Sequence, residues 1–172
     1  MDKSQSIKWL ERYIFDLSGN EIDFSNPHYQ TIAGFVFIWC LFEQTFFERK
    51  ANEDIIQSKS LSSLIPNEAI IKKTHTFLNK RYITDNITND RFQNIGFIKE
   101  NKNGVKQKTK YYDEIGQYLI NPQSTEQMNC ACMMIAWRVR CNLFHGEKNL
   151  ARVWNEDGEL FEVISNYLIS FF

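Results

Sequence analysis

Apolar residues recur at helical spacing over most of this chain, and Asn, Ser, Pro and Gly mark the breaks between runs. Ile7, Leu10, Ile14 and Leu17 share one face of a first predicted helix, opened by Ser4 or Ser6 and stopped by Gly19. Asn26-Pro27 reads as an N-cap followed by proline at the first helical position. The helix it opens is the most apolar in the chain. Only Gly34 interrupts residues 32–42, and Phe46 and Phe47 follow. A helix apolar on every side has to be covered on every side, by its own bundle or by another subunit. Glu43 is the first charge along it.

Ser60 to Ser63 and Pro66-Asn67 punctuate the next connection, and Ile70, Ile71, Thr74, Phe77 and Leu78 predict a third helix. The pattern thins over residues 82–110. Asn103-Gly104 is a strong turn signal, and Val105, Gln107, Thr109 and Tyr111 alternate, as in a short β-hairpin. The apolar content there is too thin to anchor a sheet, so a basic loop is the preferred reading. Tyr112, Ile115 and Leu119 predict another helix, stopped near Asn121-Pro122. Ser124 or Thr125 then begins a long amphipathic helix with Met128, Cys132, Ile135, Val139 and Leu143 on its apolar side. Asp157-Gly158 marks the last turn, before a final helix carrying Leu160, Ile164, Tyr167, Leu168 and Phe171. No internal repeat or domain boundary is visible. The expected fold is all-α, a compact bundle of about five or six helices forming one domain over residues 1–172.

Composition sharpens this picture. A chain of 172 residues with fourteen phenylalanines, seven glycines and three prolines is a packed body, not a disordered one. Cys40, Cys130, Cys132 and Cys141 sit inside apolar patterns and not at framework spacings. They are expected to be reduced and buried, which points to the cytoplasm. The N-terminal residues lack the basic start and apolar run of a signal peptide. No stretch approaches the roughly 18 consecutive apolar residues of a spanning helix, so no membrane partner is expected. Net charge is close to zero, yet residues 61–110 hold ten basic residues against four acidic ones. That is a solvated lysine face or a patch that attracts phosphates.

The chemistry gathers at the end of the long helix, in the stretch from Ala136 to Lys148. Arg140, Asn142 and His145 crowd its last turns, and Gly146 is a candidate cap. RNA can be cleaved without a metal when its own ribose 2′-hydroxyl is the nucleophile. The protein then has to move a proton near neutral pH, which histidine does, and stabilise charge on a crowded phosphate, which suits the arginine fork. Five residues at about 100° each put Arg140 and His145 roughly 140° apart on an ideal helix. A long arginine side chain, a distorted last turn or a second subunit has to bring them together. A carboxylate at Glu43, in so apolar a helix, either calls for a cationic partner, Arg140 or Arg138, or sits simply exposed at a bundle edge.

The run Val139-Arg140-Cys141-Asn142-Leu143-Phe144-His145-Gly146-Glu147-Lys148 resembles the signature of HEPN domains, an R-x4–6-H motif late in a compact helical bundle with an aromatic-rich helix upstream. The specific match covers about ten residues. The resemblance implies a homodimer whose two motifs line one cleft, with metal-independent endoribonuclease activity leaving 2′,3′-cyclic phosphate ends. It also implies a place in prokaryotic defence or a toxin–antitoxin pair, in some cases beside a nucleotidyltransferase partner. Transferred residue by residue, Arg140 and His145 become the catalytic pair. Asn142 and Cys141 are then supporting residues, with Asn142 positioning or hydrogen-bonding the scissile phosphate, and Glu43 joins them on the strength of its place in the apolar helix. Cys141 stands where the family commonly has Asn, Asp or His, which leaves the polar function to Asn142 or weakens the site. Arg138, Lys148, Arg152, Lys102, Lys106, Lys108 and Lys110 are the candidates for holding the RNA backbone.

Other readings compete. Cys141 and His145 lie four apart, the spacing of a thiolate–imidazole pair, but no third orienting residue is identifiable. Cys130, Cys132 and His145 make a poor zinc site, since residues two apart on a helix diverge. No metal and no cofactor are expected. His28 and His75 are expected at the surface. The main rival to a ribonuclease is a non-catalytic HEPN-like module that binds RNA or a nucleotide or serves as a dimeric scaffold. In that case His145 is a satisfied helix-end residue.

Overall fold

A computed structural model describes Lys8 and residues 27–100, 104–144 and 157–172. The first expected helix, over residues 7–17, lies outside these apart from Lys8. The described chain is an all-α compact bundle with two small hairpins.

Helix α1, Pro27–Phe47, starts at the proline. Ile32, Phe35, Trp39 and Phe42 recur at three- and four-residue steps and are buried. Phe35 packs on Phe161 at 5.1 Å between ring centroids, and Phe42 meets Phe171 edge-on at 5.1 Å. The expectation that α1 is covered all round does not hold within one chain. Phe37 is 69% exposed and Leu41 47%, and Cys40 beside them is exposed, against the expectation of four buried thiols. Counting consecutive apolar residues also understates α1, because its window Gln30–Phe47 is long and apolar enough to cross a membrane by length and composition.

Asn52 caps helix α2, Glu53–Ser62, by accepting from the Ile55 amide at 3.0 Å. The sequence reading has only a connection here, because the apolar side of α2 is thin and buries Ile56 with Ser60. Helix α3, Glu68–Tyr82, turns Ile71, Thr74, His75, Leu78 and Tyr82 inward. His75 is therefore buried, not superficial, and its Nε2 bonds the Tyr118 carbonyl at 2.8 Å. Strands β1, Ile83–Thr84, and β2, Ile87–Thr88, pair across Asp85 and Asn86, both with positive φ.

A helical turn, Asp90–Phe92, runs into a π-turn, Gln93–Phe97, kinked at Gly96 with φ 95°. The basic segment beyond is not a loop. Strands β3, Ile98–Glu100, and β4, Lys106–Lys108, pair antiparallel, with Ile98 opposite Lys108. The hairpin needs no apolar face because it is anchored at its base. The Thr109 amide donates to the Phe97 carbonyl at 2.8 Å, and the Lys108 ammonium lies 4.5 Å from the Tyr112 ring centre.

Helix α4, Tyr112–Ile120, leads to helix α5, Thr125–Phe144, opened by the Ser124 hydroxyl accepting from the Gln127 amide at 3.3 Å. Residues 129–139 of α5 are buried on every side, so α5 is the central helix of the described bundle. Small or pliable residues (Cys130, Ala131, Cys132, Met133, Met134) let its neighbours close in around it. Asn129 is satisfied there, donating to the Ser60 and Leu64 carbonyls at 2.7 and 2.8 Å and accepting from Tyr167 at 2.6 Å. Helix α6, Gly158–Ile169, closes the bundle with Leu160, Phe161, Ile164, Tyr167 and Leu168 inward. Asp157, just before it, pairs with Arg81.

Candidate functional site

The last turns of α5 send two arginines to opposite sides, as residues two apart on a helix must. Arg140 faces α1. Its Nη2 lies 3.5 Å from Glu43 Oε2, and the Trp39 indole donates to the same oxygen at 2.8 Å. The guanidinium lies 5.0 Å from the Trp137 ring centre, and the Trp39 and Trp137 rings are 5.8 Å apart. The cluster follows from helical spacing. Trp39 and Glu43 are four apart on α1, and Trp137 and Arg140 are three apart on α5. The Arg140 side chain remains 24% exposed and Glu43 15%, so the ion pair sits at the rim of the bundle.

Arg138 faces the other way. It pairs with Glu53 of α2, stacks 5.2 Å from the Phe97 ring centre and is only 6% exposed. A guanidinium so enclosed does not reach an RNA backbone, which corrects its expected role. Asn142 is buried as well, donating to the Asn94 carbonyl at 3.4 Å. It buttresses the π-turn and does not present itself to a phosphate. Cys141 is half-buried. His145, Lys148, Arg152 and Lys102 lie outside the described residues.

Lys106, Lys108 and Lys110 are exposed on and beside β4. Two of them already have carboxylates, Lys108 with Asp113 at 2.7 Å and Lys110 with Asp54 at 3.2 Å. Hydrogen bonds from Tyr111 and then Lys110 hold the Asp54 carboxyl below the usual carboxylate range. Such exposed pairs are weak and exchange readily with phosphate oxygens.

Sequence reasoning missed Trp39 and Glu53. The signal for Trp39 was present, an indole four residues before a lone carboxylate. Burial pushes the Cys130 thiol up to about 12 and that of Cys132 higher still. Among the described residues, no group of His, Cys, Asp and Glu is placed to hold a metal ion. No protein-family model, curated protein or solved structure matches the chain.

Proposed function

We propose that this protein is a metal-independent endoribonuclease of the HEPN kind, working as a cytoplasmic homodimer in prokaryotic defence or beside an antitoxin. The observation that carries this reading is the held Arg140. Glu43 and the two indoles fix an arginine at a rim five residues before His145, in the motif that resembles the family's. In this mechanism the 2′-hydroxyl attacks the adjacent phosphorus, His145 moves a proton, and Arg140 stabilises charge on the phosphorane-like transition state. The 5′-oxygen leaves and a 2′,3′-cyclic phosphate remains. The exposed lysines of β4 draw in the backbone.

A carboxylate partner on a rim arginine also suits the rival module, in which Arg140 is structural. One experiment separates the two. Purified protein is incubated with mixed cellular RNA in excess EDTA, alongside His145→Ala and Arg140→Ala. Cleavage by the wild type that both variants lose supports the enzyme. Three folded, equally inert proteins favour the binding module.

A further inference from the structure

Beside its buried stripe, α3 carries Lys73, Thr76, Phe77, Lys80 and Arg81, a second face at three-, four- and seven-residue spacing. With Arg91 from the turn Asp90–Phe92 and Glu159 from the first turn of α6, they line an open cleft of about 480 Å³. Arg81 is held by Asp157. Among the described residues, Lys73, Lys80 and Arg91 form no ion pair with a carboxylate. Phe77 is half-buried against the core and gives the cleft an aromatic wall between Lys73 and Lys80. Those two lysines are seven residues apart, about 10 Å along the helix axis.

Such a lining disfavours an apolar ligand and a cationic one. Aromatic rings that stack bases, flanked by cations that meet phosphates, are the elements of a single-strand track. Paired bases hide their faces, so a duplex is the wrong shape for Phe77. Arg91 lies three residues before Asn94, whose carbonyl accepts from Asn142 near the end of α5. We propose that this cleft holds single-stranded RNA, one base stacked on Phe77 and the neighbouring phosphates on Lys73, Lys80 and Arg91. The inference rests on RNA being the ligand and does not require cleavage.

The test measures affinity for a fluorescein-labelled oligouridylate of about ten nucleotides. The protein is the full chain carrying His145→Ala, which keeps RNA turnover out of the reading. Lys80→Gln and Arg91→Gln each weaken binding about three- to tenfold and reduce the slope of log affinity against log salt by about 0.7. Phe77→Leu keeps apolar bulk, weakens binding about tenfold and leaves that slope unchanged. Circular dichroism confirms that each variant is folded. Wild-type affinity in the Lys80 and Arg91 variants, or in Phe77→Leu, overturns the proposal, as does ATP displacing the RNA at lower concentration than unlabelled oligouridylate. Cleft-dependent binding here, with no RNA cleavage by the wild-type chain in excess EDTA, removes the enzyme and keeps the track. RNA cleavage by the wild-type chain, with unchanged affinity in the cleft variants, does the reverse.

Discussion

Glu43 shows how much one carboxylate can organise. It accepts from the Trp39 indole, faces Arg140, and ties α1 to the last turns of α5. Glu43→Gln keeps an acceptor for the indole and removes the charge opposite the arginine. The expected loss is about 1–2 kcal/mol of unfolding free energy, read from urea titration. On the proposed mechanism, RNA cleavage falls as well. His75 illustrates the opposite problem, a titratable ring sealed inside. Burial pushes its imidazole below the usual histidine range, partly opposed by the bond to the Tyr118 carbonyl. The unfolded chain therefore takes up a proton at about pH 6.5, before the folded one does. The stability His75 contributes is complete above that value and is lost as pH falls through its lower folded value. His75→Gln removes this component, so its urea midpoint drops less than the wild type's between about pH 7 and pH 5.

At the scale of elements, the π-turn around Gly96 holds the hairpin to α5. A Cβ on Gly96 would lie 3.3 Å from Asn142 Oδ1 and 3.7 Å from the Arg138 side chain, in a backbone with φ 95°. Gly96→Ala is expected to cost about 1–3 kcal/mol, lowering Tm by roughly 2–4 °C per kcal/mol in a thermal scan. Local spacing makes the longer helices legible, since Asn-Pro, Ser-Thr and Asp-Gly mark three of the starts. For Glu43 the sequence poses the question, a carboxylate in an apolar helix, but not the answer, since exposure at an edge and pairing with Arg138 or Arg140 are equally consistent with the local pattern. The fates of Arg138 and Asn142 are not legible. Asn142 depends on a turn 48 residues upstream folding back over α5, and Arg138 on the same turn and on Glu53 of α2, which no local pattern encodes. The hairpin β3–β4 fails for a related reason, since its anchor, Tyr112, belongs to the next element.

For the whole molecule, cover does not follow apolarity within one chain. The periodic α5 is sealed at the centre, while the uniformly apolar α1 leaves Phe37 and Leu41 outside. Periodicity reports which side is apolar, but not how many neighbours arrive to cover it. The proposed homodimer places a second copy on this face. The wild type is then expected to sediment as a dimer at micromolar concentration and Phe37→Asp as a monomer, both folded by circular dichroism.

Cys40, standing between Phe37 and Leu41, gives that face a chemical reporter. Cys130 and Cys132 are fully buried, with thiols that resist ionisation, so alkylating reagents reach Cys40 while those two stay silent, and peptide mapping separates Cys40 from the half-buried Cys141. Where copies meet on α1, the alkylation rate of Cys40 falls as protein concentration rises. On a bare face the rate is constant, and α1 announces its own occupancy without any label being engineered into the chain.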